Sequence, residues 1–283
     1  MEFSYYPGCT LTGSAKELDE SFRSVAEKLG VTLSEIPDWT CCGASSAHMV
    51  DAYLETALPA KDLITAEQLG KDVVAPCAGC HVRMKAASMR ILKEKELQEQ
   101  FPFKGLIKVM SGMDMFHMAE LRHKLKEVLA KPLAGLKVVP YYGCYAVRPP
   151  DVVEPEDPEN PMQMDHILED LGAEVLSWPY KTDCCGGSLA LSRTDLVLKL
   201  TGKILDMALL VQADAIVTLC PMCQANLDTR QADISKATGK LYEVPVLYLT
   251  ELMALALQDP RTRNWFSKHM VSPEGMLSVR GLI

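Results

Sequence analysis

The chain has 283 residues, 48% of them hydrophobic, and a formal net charge of −8 at pH 7, so it buries a sizeable core, as one large domain or two tightly packed ones, and is not globally disordered. The acidic balance argues against a nucleic-acid binder. No apolar run approaches the roughly 20 residues needed to cross a bilayer, and the start Met1-Glu2-Phe3-Ser4-Tyr5 lacks the basic and apolar runs of a signal peptide, so a cytoplasmic chain without direct membrane insertion is expected.

Hydrophobic periodicity and Gly/Pro punctuation then give strands and helices in alternation. A strand at 3–6 leads into Cys9. An amphipathic helix follows to Leu29, closed by Gly30, with Ser14 as N-cap and Glu17 completing a capping box. A strand at 31–36 precedes Cys41, and a helix is expected over 47–70. A buried strand at 72–75 precedes Cys77; a helix over 81–97, a strand at 106–109 and a helix over 114–129 complete this half. The order then repeats: strand 136–142, helix 162–171, strand 174–177, helix 189–211, strand 213–219, a helix from 221 to 228, strand 244–248 and helix 250–258. Such alternation predicts an α/β fold: two duplicated, Rossmann-like halves with parallel sheets, related by a pseudo-twofold. The expected boundaries are 1–132, 133–258 and a tail, 259–283, of weak periodicity that docks on a partner.

The ten cysteines fall into two copies of one pattern with none left over. The first is Cys9, then Cys41-Cys42-Gly43, then Cys77 and Cys80 as Cys-x-x-Cys; the second is Cys144, then Cys184-Cys185-Gly186, then Cys220 and Cys223. In both copies 33 residues separate Cys-Cys-Gly from Cys-x-x-Cys. The second copy carries eight extra residues after its first cysteine, assigned to the Pro- and acid-rich loop between Arg148 and Pro161. Each cysteine group follows a predicted strand, which gathers five thiols at the carboxyl rim of each sheet, where α/β ligands bind.

Four chemistries compete for these thiols. Disulfides suit neither a reducing compartment nor five cysteines per half. A thioredoxin-like pair fits Cys220-Pro221-Met222-Cys223 at a strand-to-helix turn, but leaves three further cysteines per half unexplained. Structural zinc takes four thiolates and leaves a fifth idle; zinc in one half with a cluster in the other stays open. An iron–sulfur cluster takes thiolates as its normal ligands, and five serve if it departs from a cube.

The pattern resembles the cysteine-rich, or Cys-Cys-Gly, domain, and two such domains in one chain resemble the tandem CCG-domain subunit of heterodisulfide reductase. The resemblance covers about residues 3 to 258. It extends to Tyr141-Tyr142-Gly143-Cys144 with Arg148-Pro149, to Asp157-Pro158-Glu159-Asn160-Pro161-Met162, to Trp178-Pro179-Tyr180-Lys181-Thr182-Asp183 before Cys184, and to Gln224-Ala225-Asn226-Leu227-Asp228 after Cys223. It implies two noncubane [4Fe–4S] clusters facing each other across a cleft. Cys9, Cys41, Cys42, Cys77 and Cys80 would hold the first, and Cys144, Cys184, Cys185, Cys220 and Cys223 the second. It implies a small-molecule disulfide substrate, the coenzyme M–coenzyme B heterodisulfide in methanogens, cleaved to two thiols by one-electron steps. Its partners would be two further subunits of such a complex, one a ferredoxin-like iron–sulfur protein and the other flavin-containing. A pure electron-transfer subunit feeding another oxidoreductase is the alternative.

Four residues beside the motifs are candidates for contact with the clusters or the substrate: His81, Arg148, Lys181 and Arg193. Taken alone, His81 reads first as a surface histidine at a helix start, and the three cations as solvated charges. His48 has the same two readings. Trp39 and Trp178 precede the Cys-Cys-Gly motifs as shields or as core. Thr12-Gly13-Ser14 is no phosphate loop, and without a Rossmann or Walker fingerprint no flavin or nucleotide is expected on this chain.

Overall fold

The computed structural model describes residues 1–44 and 47–283; the side chain of His48 lies outside the described residues. The first half runs β1 (Glu2–Tyr5), α1 (Gly8–Thr12), α2 (Lys16–Lys28), β2 (Thr32–Glu35), α3 (Ala47–Val50), α4 (Ala52–Leu69), β3 (Val73–Ala75), α5 (Ala78–Lys93), α6 (Lys95–Gln100), β4 (Val109–Ser111), α7 (Gly112–His117) and α8 (Ala119–Val128). The second runs β5 (Lys137–Pro140), α9 (Pro150–Val153), α10 (Gln163–Asp170), β6 (Glu174–Val175), α11 (Thr194–Leu210), β7 (Ala215–Thr218), α12 (Pro221–Thr229), α13 (Gln231–Thr238), β8 (Val246–Tyr248) and α14 (Leu249–Ala256). Two further helices follow, α15 (Thr262–Phe266) and α16 (Glu274–Val279).

The strands form two four-stranded parallel sheets, β2-β1-β3-β4 and β6-β5-β7-β8, which have the same order once the duplication is allowed for. Helix α2 follows the first strand of its half and packs on α14, which follows the fourth strand of the other; α10 and α7 repeat that pairing with the halves exchanged. Reciprocal contact of this kind is what a twofold relation produces. The two halves share one hydrophobic core, in which Phe22, Val74 and Met115 of the first half join Val138, Val217 and Leu252 of the second.

The expected helix over 47–70 breaks at Asp51, whose carboxylate accepts from Tyr53 N (2.7 Å) and Leu54 N (3.3 Å) and so starts a new helix. Ser14 caps nothing: the turn of α1 runs to Thr12, Ala15 N bonds Thr10 O, and buried Ala15 takes the N-cap position of α2 without a side-chain bond. Helix 81–97 begins earlier, at Ala78, and ends at Lys93. The expected strand at 106–109 sits at Val109–Ser111, paired with β3, and helix 114–129 is divided at Met118. Helix 189–211 starts only at Thr194, because Gly187–Leu189 form a separate tight turn.

The segment after residue 258, expected to dock on a partner, packs on this chain. Trp265, Phe266, Leu277 and Leu282 are buried in the shared core. Trp265 Nε1 donates to Glu20 (2.8 Å), and Ser24 donates to Asp259, which Arg261 also grips.

Candidate metal centre

Every cysteine group follows a strand and precedes or opens a helix or tight turn, so parallel topology carries all ten to the carboxyl rims of the sheets. None is in a disulfide. In the first half Cys41 Sγ lies 3.7 Å from Cys9 Sγ, and Cys42 Sγ lies 3.4 Å from Cys80 Sγ. The second half repeats these pairs, with Cys184 and Cys144 at 3.9 Å and Cys185 and Cys223 at 3.6 Å. Cys42, Cys77, Cys80, Cys185, Cys220 and Cys223 are buried; Cys9, Cys41 and Cys184 reach solvent. The fifth member of each set faces the other half: the Cys77 and Cys220 side chains come close enough to shift each other's protonation. They are the same position of the two copies, and equivalent groups meet only on the symmetry axis.

Thiols this close share protons unevenly. The Cys41 thiol, then that of Cys80, holds Cys42 down at about 4. The Cys144 thiol holds Cys184 at about 6, against burial and helped by the Gly186 and Gly187 amides. The Cys220 thiol holds Cys77 well below the usual thiol range. Each half is therefore disposed to carry thiolate, the form that binds metal.

Two devices recur at the same positions in both halves, and neither was singled out from the sequence. Gly8 and Gly143, directly before the first cysteine, adopt φ of 69° and 68°. A Cβ there would lie 2.9 Å from Cys80 Sγ and 2.8 Å from Cys223 Sγ, so glycine alone lets the main chain approach those sulfurs. Tyr6 and Tyr141 donate to the carbonyls of Thr40 (2.6 Å) and Asp183 (2.5 Å), the residues just before each Cys-Cys pair. Their rings meet Trp39 and Trp178 edge-on, so the tryptophans wall the motifs. The repeated Tyr-x-Gly-Cys of 6–9 and 141–144 is the sequence signal for both devices. Asn226 acts in the second half only, with Nδ2 at 3.2 Å from Cys185 O and 3.7 Å from its sulfur.

The four candidates beside the motifs separate. His81 is buried at 2% exposure, held down to about 4 by burial, and lines a recess against Cys220; the surface reading does not hold. Lys181 is buried too, but its ammonium is taken by Asp165 (2.7 Å), Asn160 (2.9 Å) and Pro161 O (3.2 Å). Arg148 pairs with Glu159 at 2.8 Å, and Arg193 lies exposed against Asp195 at 2.9 Å.

The model of the cysteine-rich CCG domain matches residues 3–85 and 138–228. Among curated relatives, the 8-methylmenaquinol:fumarate reductase membrane anchor subunit of Wolinella succinogenes is 33% identical, over 92% of this chain and 93% of that protein. Among the described residues, no helix is long and apolar enough to cross a membrane. A ferredoxin:CoB-CoM heterodisulfide reductase subunit of Methanosarcina mazei is 27% identical, over 90% of this chain and 89% of that one. A crystal structure of a hypothetical protein from Helicobacter pylori is similar at a TM-score of 0.73 and 11% identity, over 96% of this chain and 52% of that chain, a likeness of fold. With matched segments in both halves and relatives aligned along most of its length, the chain belongs to the cysteine-rich CCG domain family, in the tandem form found in heterodisulfide reductase subunits.

Proposed function

We propose that this chain is the catalytic iron–sulfur subunit of a heterodisulfide reductase-like complex, reducing a disulfide to two thiols. In this reading Cys9, Cys41, Cys42, Cys77 and Cys80 hold one noncubane [4Fe–4S] cluster, and Cys144, Cys184, Cys185, Cys220 and Cys223 hold a second. The observation that carries the reading is the gathering of five cysteines at the carboxyl rim of each sheet, with sulfur–sulfur distances of 3.4–3.9 Å that repeat between the halves. The donors are all sulfur, as such clusters require, and Gly8 and Gly143 leave the room that a Cβ would fill.

When bound, two such clusters supply one electron each to a two-electron bond cleavage. The protein's own part is to position and shield. Tyr6 and Tyr141 fix the turns that present the paired cysteines. Asn226 donates toward Cys185, and hydrogen bonds to ligand sulfur tune redox potential. Burial of six of the ten thiols keeps water from them. Ferredoxin-like and flavin-containing partner subunits would supply electrons; the names of the heterodisulfide reductase relatives, each a subunit, support a multi-subunit complex. Ten unbridged thiols suit the cytoplasm.

A second reading, an electron-transfer subunit serving another oxidoreductase, is favoured by the 33% identity to the fumarate reductase protein. The test is iron, zinc and acid-labile sulfide per chain in protein purified without oxygen. About eight irons with matching sulfide and no zinc are expected; about four irons with one zinc overturn the two-cluster reading. Adding a disulfide to the reduced protein then separates enzyme from relay, because only an enzyme passes its electrons to the disulfide and returns to the oxidised spectrum.

A further inference from the structure

The two reciprocal helix contacts between the halves are held by different chemistry. Where α2 meets α14, the Ser21 and Thr250 hydroxyls lie 2.7 Å apart, and Ser24 donates to Asp259, which Arg261 also grips. Neither a hydroxyl pair nor an arginine–carboxylate pair changes charge between about pH 5 and 8. His269 anchors the C-terminal segment on that side; against burial, the Glu251 carboxylate lifts it to about 8, so it stays charged below neutral pH.

Where α7 meets α10, the contact is made by histidines. His117 Nε2 lies 3.1 Å from His166 Nδ1, with ring centroids 5.4 Å apart and 20° between the planes. One nitrogen donates and the other accepts, so a single proton sits between the rings. The bond survives when the donor ring takes a proton on its outer nitrogen and the pair carries one charge. It does not survive a charge on both rings. Each facing nitrogen then bears a hydrogen, no acceptor remains, and two like charges stand in stacking contact.

The pair borders an open cavity with an empty volume of about 610 Å³, so protons reach it from solvent. The groups facing it are mixed in sign. Asp114 lies on α7, Asp170 on α10, and Glu156 and Asp157 on the inserted loop across the cavity. Asp170 is gripped by Arg122 (2.5 Å) and Lys126 (2.8 Å) of α8, and Arg122 also donates to His166 O (3.3 Å). Asp165 is taken by Lys181 at 2.7 Å. Burial, then Arg122, then His166 itself hold His117 below the usual histidine range. Double protonation is therefore reached only below about pH 6.5. The helices so joined also cover a thiol: Met113 of α7 and Met164 of α10 wall the small recess against Cys220.

We propose that His117 and His166 form a pH-sensitive latch across the halves, closed while the pair carries at most one charge and released when both rings are protonated, so that α7 parts from α10 beside Cys220 while the α2–α14 contact stays shut. In the released range the folded chain holds fewer protons on this pair than the unfolded chain does. The pair's contribution is thus complete above about pH 6.5 and lost as pH falls, the opposite sense to His269. The latch needs only the two halves and does not depend on what the thiols hold.

Hydrogen–deuterium exchange read by mass spectrometry tests it, on the full chain purified without oxygen, at about pH 5.5 and 7.0 and corrected for the intrinsic pH dependence of exchange. Corrected exchange in peptides from α7 and α10 is expected to rise at least about fivefold at the lower pH, while α2 and α14 change less than about twofold. His117→Gln and His166→Gln each keep a side chain that bonds the remaining imidazole but cannot share a second charge with it. Both sit at partly exposed positions, and each should hold the rise in α7 and α10 below about twofold. No rise in the wild type overturns the latch. An equal rise in α2 and α14 overturns it too, because the acid response is then general, and so does a wild-type rise that persists in either variant.

Discussion

Single atoms decide the approach of the main chain to the thiols. Gly143→Ala would put a Cβ into Cys223 Sγ and force a side-chain-bearing residue to a positive φ. With ψ at 179°, a conformation almost confined to glycine, the backbone term alone costs about 1–3 kcal/mol, and the sulfur must move as well. The expected result is loss of the second cluster's spectrum with the first retained, measured by electron paramagnetic resonance and iron content. Cys185→Ala should give the same selective loss together with loss of turnover, and full activity would sink the two-cluster mechanism. Tyr141→Phe removes one buried hydrogen bond to Asp183 O, worth about 0.5–1.5 kcal/mol in chemical denaturation.

At the scale of elements, the inserted loop and the C-terminal segment are both held by buried charge. Lys181→Met leaves the Asp165 carboxylate, 5% exposed, without its cation. Breaking a buried pair from one side costs about 3–5 kcal/mol. The double variant with Asp165→Asn should recover part of that in thermal melts; no recovery would mean the pair is not the source. The C-terminal segment is anchored through His269, whose Nε2 lies 2.9 Å from Glu251 and whose Nδ1 meets Gln224 at 3.1 Å. Burial opposes a charge on His269, but the Glu251 carboxylate outweighs it and lifts the imidazole to about 8. The folded value lies above the unfolded one, near 6.5, so this contribution is complete below about pH 6.5 and is lost as pH rises through 8. It amounts to about 2 kcal/mol. Denaturation midpoints should therefore fall between pH 6.5 and 8.5 in the wild type, and this part of the slope should vanish in His269→Gln.

For the whole molecule, the shared core means that neither half is an independent unit. Deleting 260–283 strips Trp265, Phe266, Leu277 and Leu282 from that core. At about 1.5–3 kcal/mol for each large side chain, the loss is about 6–12 kcal/mol, comparable to the total stability of a domain. The truncated chain is expected to lose cooperative unfolding and to aggregate; a sharp, wild-type-like melt would contradict the packing described.

Alternation of strand and helix, the carboxyl-rim position of the cysteines and their twofold repetition were legible in the sequence, because each is a matter of local periodicity or covalent spacing. Element ends were less so. Asp51 carries a helix-start signal inside a longer apolar pattern, and Ser14 carries one that the preceding turn overrides. Lys181 reads as a free cation because its partner Asp165 lies 16 residues away on another element.

By itself, then, the sequence determined the duplicated α/β fold and the two sets of five thiols. Only the tertiary structure decided that the Cys77 and Cys220 side chains face each other, that Arg148 and Lys181 are spent on carboxylates, and that the last 25 residues lock both halves together. The physical reason is range. Helix and strand periods act over a few residues of chain, whereas ion pairs and core contacts join residues that packing alone brings within reach.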